Sequence, residues 1–215
     1  MKKSNLLALF SLFSLFSIFC YADEAAPCIQ ETKKPHFYEY HNRMIVFAPF
    51  YQGYERIKPD AFYVGVEGIF TPIWPQKHEA WLINEELRMG YNFFCNGRDH
   101  VTPFAGAGYL EVSHHNHGIN IGYGTLGFLY DHEFNTIFNL GLNGKILMGS
   151  PVAGKHHLKN WGSFVIGSNV SLPITFRFGH HRHWDFRIEP FNIYLRGSKA
   201  SETFWGFANS IGYRF

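Results

Sequence analysis

Between Gly162 and Phe178 apolar side chains recur at every second position. Phe164, Ile166, Val170, Leu172, Ile174, Phe176 and Phe178 share one face, with Ser168 as its only polar member. The opposite face carries Ser163, Gly167, Asn169, Ser171, Thr175 and Arg177. A helix would scatter both sets around its axis, whereas a strand sends successive side chains to opposite sides of a sheet. The period of two therefore predicts a long strand with one apolar and one polar face.

The same alternation returns along the chain. Trp205, Phe207, Ile211, Tyr213 and Phe215 oppose Gly206, Ala208, Ser210, Gly212 and Arg214. Between Phe134 and Met148, Phe138, Leu140, Leu142, Ile146 and Met148 oppose Asn135, Asn139, Asn143 and Lys145. In 62–70, Phe62, Val64, Val66 and Phe70 oppose Tyr63 and Glu67. In 118–130, Leu126, Phe128 and Tyr130 oppose Thr125 and Gly127. In 102–112 the expectation is that Phe104, Leu110 and Val112 point outward, against Tyr109 and Glu111. Two stretches are less regular. Trp81–Phe93 puts Glu85 on its apolar face, which predicts a rim position or a bulge. In Trp184–Tyr194, Trp184, Phe186 and Ile188 oppose Asp185, Arg187 and Glu189. Turn formers such as Lys58-Pro59-Asp60, Asn96-Gly97-Arg98-Asp99 and Arg196-Gly197-Ser198 separate the strands.

These stretches make eight strands from residue 61 onward. Membrane strands need about 9–11 residues with one lipid-compatible face, so the reading is an all-β, antiparallel, up-and-down transmembrane β-barrel. Eight strands are favoured. Met44–Tyr54 is the segment that does not fit, either an accessory piece or part of a ten-stranded alternative. Composition agrees with this class: 19% aromatic residues, 17% charged, and no later stretch apolar enough for a spanning helix.

The N-terminus reads as an export signal. Lys2 and Lys3 precede an apolar run from Leu6 to Phe19, and Cys20-Tyr21-Ala22 predicts cleavage after Ala22. Acylation at Cys20 is the weaker alternative. The expected organisation is a signal peptide at 1–22, a periplasmic tail with an accessory segment at 23–60, and a barrel at 61–215. The signal holds two of the 19 Lys+Arg and none of the 17 Asp+Glu, so the mature chain balances its charges. With no clustered basic face, nothing calls for a nucleic-acid partner.

Val101-Thr102-Pro103-Phe104-Ala105-Gly106-Ala107-Gly108-Tyr109, Gly124-Thr125-Leu126-Gly127-Phe128-Leu129-Tyr130 and Ile211-Gly212-Tyr213-Arg214-Phe215 resemble segments of small outer-membrane barrels of the OmpA/OmpX type. The resemblance implies a bacterial outer-membrane location and outer-membrane lipid as surroundings. It also implies that Ile211, Tyr213 and Phe215 are a signal for the barrel-assembly machinery.

The inward-facing charges are expected to be Glu67, Glu86, Arg88, Glu111, Lys145, Arg177, Asp185, Arg187, Glu189 and Arg214, forming an ion-paired plug. A narrow solute path is the rival reading. Cys28 and Cys95 both fall on the periplasmic side by strand parity, so a disulfide between them is an expectation in an oxidising compartment. His114, His115, His117, His156 and His157 fall in outer loops, and His180, His181 and His183 in a periplasmic one. They read as polar loop residues, and no metal or cofactor is expected. Trp74, Trp81, Trp161, Trp184 and Trp205 are expected in interfacial girdles. An enzyme is not expected: no His-x-Ser occurs, and parity places Asp131-His132-Glu133 in a periplasmic turn.

Overall fold

The computed structural model describes residues 40–47, 51–75, 80–95, 98–114, 117–152 and 161–215. The signal segment, Cys28, His115, His156 and His157 lie outside them. The long alternating stretches become β3 (Ala61–Pro75), β4 (Ala80–Cys95), β5 (Asp99–His114), β6 (His117–Glu133) and β7 (Phe138–Pro151). They continue as β8 (Val165–Ser171), β9 (Ile174–Phe178), β10 (Trp184–Arg196) and β11 (Ser201–Arg214), after the short pair β1 (Asn42–Phe47) and β2 (Tyr51–Arg56). Apart from β8 and β9, each pairs antiparallel with its sequence neighbours, and β11 returns to pair with β1 and β3. The sheet is thus all-β, up-and-down and closed into a ring compatible with a β-barrel.

β8 and β9 are two halves of one stave, since both lie between β7 and β10. The break falls at Leu172-Pro173, where proline has no N–H to give the ladder. The Pro173 carbonyl still accepts from the Gly141 N–H at 2.7 Å, and the phase of the outward face passes unchanged from Val170 to Phe176.

The favoured strand count is corrected by the hairpin β1–β2. The eight staves from residue 61 are present, and residues 42–56 add two more, so the ring follows the ten-stranded alternative. These two are short and occupy only one half of the wall. Near the terminal end, Arg43 pairs with Arg214 and Glu55, and β2 pairs with β3 from Tyr51 to Glu55. Toward the far end the hairpin stops, and β3 meets β11 directly through Ile73↔Gly206, Trp74↔Trp205 and Pro75↔Phe204. The ring therefore has ten staves at one end and eight at the other. At the fork the Thr71 hydroxyl donates to the Phe207 carbonyl at 2.7 Å, which holds the two walls together where the backbone ladder gives out.

Tyr40 and Phe215 lie at the same end. The Phe215 carbonyl accepts from the N–H groups of His41 (3.1 Å) and Asn42 (3.0 Å), and its N–H returns to the Asn42 carbonyl at 3.0 Å. Reversals at 57–60, 134–137 and 179–183 lie at this terminal end. In the second, the Asn135 side-chain carbonyl accepts from the N–H groups of Ile137 (2.8 Å) and Phe138 (2.9 Å), an Asx turn. The third opens on Gly179 at φ +80°, a backbone region nearly closed to other residues.

Large apolar side chains cover the outside of the wall. Phe62, Met89, Leu126, Val170, Phe176 and Trp205 are exposed, Trp205 by 60%. Monomeric soluble proteins seldom leave such a continuous apolar surface uncovered.

Candidate functional site: a divided ring interior

The far half of the interior is apolar. Ile73, Leu82, Leu110, Ile121, Leu147 and Phe204 belong to one buried cluster that also takes in side chains of β8 and β10. Every stave that reaches this height contributes, so the cluster fills the cross-section. The phase of β5 is part of the cause. Phe104, Leu110 and Val112 are buried inside, whereas Tyr109 and Glu111 lie on the outward face. The expectation for this strand is therefore reversed, and Glu111 is not an interior charge. Instead its carboxylate accepts from the Tyr109 hydroxyl at 2.9 Å on the outer surface. Glycines make the inward turn of Phe104 possible. A Cβ on Gly90 would sit 3.0 Å from Phe104, and one on Gly127 2.8 Å from its ring.

Trp161 is a second correction. It is buried in the apolar cluster, with Gly197 against its backbone, while Trp74, Trp81, Trp184 and Trp205 are exposed on the wall.

The terminal half is polar. Arg43, with no exposed surface, donates from Nη2 to Asp185 Oδ1 at 2.7 Å and from Nε to Oδ2 at 2.9 Å. Arg214 Nε adds a bond to the same Oδ2 at 2.9 Å. One carboxylate on β10 thus holds guanidinium groups from β1 and β11, at the seam where the ring closes. Glu55 stands at 3.4 Å from Arg43 Nη1, 3.7 Å from Arg187 and 3.9 Å from Arg88, and Arg88 also donates to Glu67. Higher in the ring, Lys145 donates to Glu86, and the Tyr123 hydroxyl donates to Asn84 at 2.6 Å. Glu189 accepts from Asn143 at 3.0 Å and from the Ser171 hydroxyl. Arg177 donates to Glu133.

Of the ten expected interior charges the structure places nine inside: Glu67, Glu86, Arg88, Lys145, Arg177, Asp185, Arg187, Glu189 and Arg214. It brings them together with four further groups: Arg43, Glu55, Asp131 and Glu133. Arg43 and Glu55 belong to the segment that the eight-stranded reading left out of the wall, although Arg43 and Ile45 alternate with Met44 as strand residues should. Asp131 and Glu133 are hidden by the turn reading. β6 in fact runs to Glu133, the reversal comes at 134–137, and alternation turns both carboxylates inward.

A cavity of about 90 Å³ remains among these groups, lined by Tyr40, Glu55, Tyr63, Asp131, Arg187 and Arg214. That is room for several waters. A smaller space of about 40 Å³ lies next to it, reaching toward Leu82 and Phe191 at the base of the apolar cluster. The interior is thus a charged cup at the terminal end, stoppered by an apolar plug at the other.

Other expected residues lie apart from the cup. Cys95 closes β4 at the terminal end, and its expected partner Cys28 lies outside the described residues. His180, His181 and His183 sit at the terminal rim, where the Tyr40 hydroxyl donates to the His181 carbonyl at 2.6 Å and His183 stacks on Tyr213. Among the described residues no group of three His, Cys, Asp or Glu side chains is arranged to hold a metal ion. Ile211 and Tyr213 lie on the outward face of β11, and Phe215, 50% exposed, follows directly after it. No protein-family model matches the sequence, and neither a curated protein nor a solved structure matches it.

Proposed function

We propose that the chain is a non-conducting, non-enzymatic barrel of a bacterial outer membrane, with a structural or surface-interaction role in the envelope. The observation that carries this reading is the combination of an apolar outer wall with an interior stoppered by side chains from every stave that reaches the far end. The wall suits hydrocarbon, and the plug leaves no aqueous path.

The outward face also supplies a boundary for the apolar band. Leu87, Ala107, Gly124 and Met148 form one row across β4–β7, and the next row toward the far end is Glu85, Tyr109, Gly122 and Ser150. The β3–β4 register runs without a bulge through Glu85, so this carboxylate belongs to the first polar row. On this reading the membrane ends there, and Trp81, stacked on Phe70 at 4.9 Å, lies in the interfacial zone. Export by the N-terminal signal and delivery by the barrel-assembly machinery through Ile211, Tyr213 and Phe215 complete the proposal. The periplasm is then at the terminal end.

A small-solute channel is the second reading, favoured by the charged cup. The two separate in planar bilayers. Purified protein should insert without discrete current steps, and reproducible ion-sized steps would overturn the non-conducting assignment. Membrane fractionation tests the location: recovery in the aqueous phase would sink it.

A further inference from the structure

The charges facing the interior do not balance among the described residues. Arg43, Arg88, Lys145, Arg177, Arg187 and Arg214 are six cations. Glu55, Glu67, Glu86, Glu133, Asp185 and Glu189 match them in number, and Asp131 is a seventh carboxylate. A buried net charge is costly, so the interior calls for one more proton. Two of these carboxylates stand outside the ion pairs. Glu189 is held by two donors, Asn143 at 3.0 Å and the Ser171 hydroxyl. Asp131 has no hydrogen bond among the described residues, and its Oδ1 is shut off from solvent. The surplus charge therefore falls on Asp131.

The sheet supplies a place for the proton. β5 and β6 set His100 directly opposite Asp131. Side chains paired in this way have Cβ atoms about 4.5–5.5 Å apart, close enough to share a proton directly or through one water. Both residues line the cavity of about 90 Å³, which has room for that water. On the other side of Asp131 the β7 partner is Gly141, where a Cβ would come within 2.6 Å of Oδ1. His100 is thus the titratable neighbour of Asp131 in its row. Its Nε2 lies 3.7 Å from Glu133 Oε1, which keeps the ring among the carboxylates.

The other charged groups facing the pair have partners of their own. Arg177 donates to Glu133, Arg187 lies 3.7 Å from Glu55, and Asp185 engages Arg214 at 2.9 Å. Arg88 donates to Glu67. On the outer face Asp99, next to His100 in the chain, bonds to His132 at 2.8 Å. Tyr40 and Tyr63 complete the cavity wall with phenols, which ordinarily ionise only at about pH 10. We infer that His100 and Asp131 hold one exchangeable proton between them and form a pH-sensitive latch in the cup. With the proton the interior is neutral, and without it the interior carries one uncompensated negative charge. The pair lies inside the ring, so its behaviour does not depend on which membrane surrounds the wall.

The test uses the full chain folded in detergent micelles, with urea titrations at constant ionic strength from about pH 5.5 to about pH 9. An unfolded chain releases its imidazole proton at about pH 6.5. Above that, a folded chain that keeps the proton is one proton ahead, and its stability falls until the pair gives the proton up. Relative to Asp131→Asn, the wild-type unfolding constant should therefore rise about tenfold per pH unit over part of this range. That variant keeps the side chain's shape and removes the surplus charge, so at about pH 9 it should be at least as stable as wild type. His100→Gln leaves Asp131 without its partner and should move the loss to lower pH, which serves if the first variant does not fold. Parallel profiles of wild type and Asp131→Asn would overturn the latch. So would a His100→Gln profile that matches wild type. An Asp131→Asn variant weaker than wild type at about pH 9 would overturn it too, by assigning the charge to the arginines.

Discussion

Arg43 and Asp185 meet at 2.7 Å although 142 positions separate them, and neither has any exposed surface. The pair ties the first strand of the ring to the penultimate one, across the last. Removing the guanidinium would leave Asp185 with Arg214 alone, and Glu55 with weaker company. Breaking a buried pair by deleting one partner costs about 3–5 kcal/mol. Arg43→Met should therefore lower stability by that order, read from urea titrations of the heat-modifiable band on gels. An unchanged midpoint would mean that the hairpin β1–β2 does not brace the seam.

Thr71 guards the fork where the wall changes from ten staves to eight. Its hydroxyl bond to the Phe207 carbonyl has no backbone substitute at that height. Thr71→Val keeps the shape and deletes the donor, with an expected loss of about 1 kcal/mol in the same titration. Thr71→Ser should retain most of the wild-type stability.

Glu86 and Glu111 are carboxylates on neighbouring strands with opposite surroundings. Glu86 is buried against Lys145, while Glu111 faces outward beside Tyr109. Glu86→Leu should cost about 3–5 kcal/mol by stranding the ammonium group. Glu111→Leu should change stability by no more than about 0.5 kcal/mol. Equal effects would show that β5 has the opposite phase to the one described.

Gly90 makes the inward position of Phe104 possible. An added methyl would lie 2.1 Å from the Pro103 carbonyl oxygen and 3.0 Å from Phe104. Gly90→Ala should destabilise by about 1–3 kcal/mol, the usual cost of overpacking. Adding Phe104→Leu should not recover the loss, because the added methyl meets the Pro103 carbonyl and the Cα and Cβ of residue 104, which leucine keeps. A double-mutant cycle would measure this.

Legibility in the sequence was uneven along the chain, for a physical reason. From Gly162 to Phe178 every outward apolar position could be read directly, and even the break at Pro173 did not disturb the phase. From Thr102 to Val112 the apolar residues suggest the opposite phase, because the interior there is itself apolar. Leu110 and Val112 look like lipid-facing residues until their neighbours place them in the plug. Trp161 misleads in the same way: an aromatic ring suits an interface and a dry interior equally well. Asp131 and Glu133 look like turn residues in the sequence, yet they close β6 and point inward.

By itself the sequence determined the strand period, the all-β class and most of the inward charges, since alternation is a local property that each strand carries alone. Only the tertiary structure decided what lay between the staves. It joined Arg43 to Asp185, inserted residues 42–56 into half of the wall, and divided the interior into a charged cup and an apolar plug. Those outcomes depend on which strands meet around a closed ring and at what height, and no single strand encodes its distant partner.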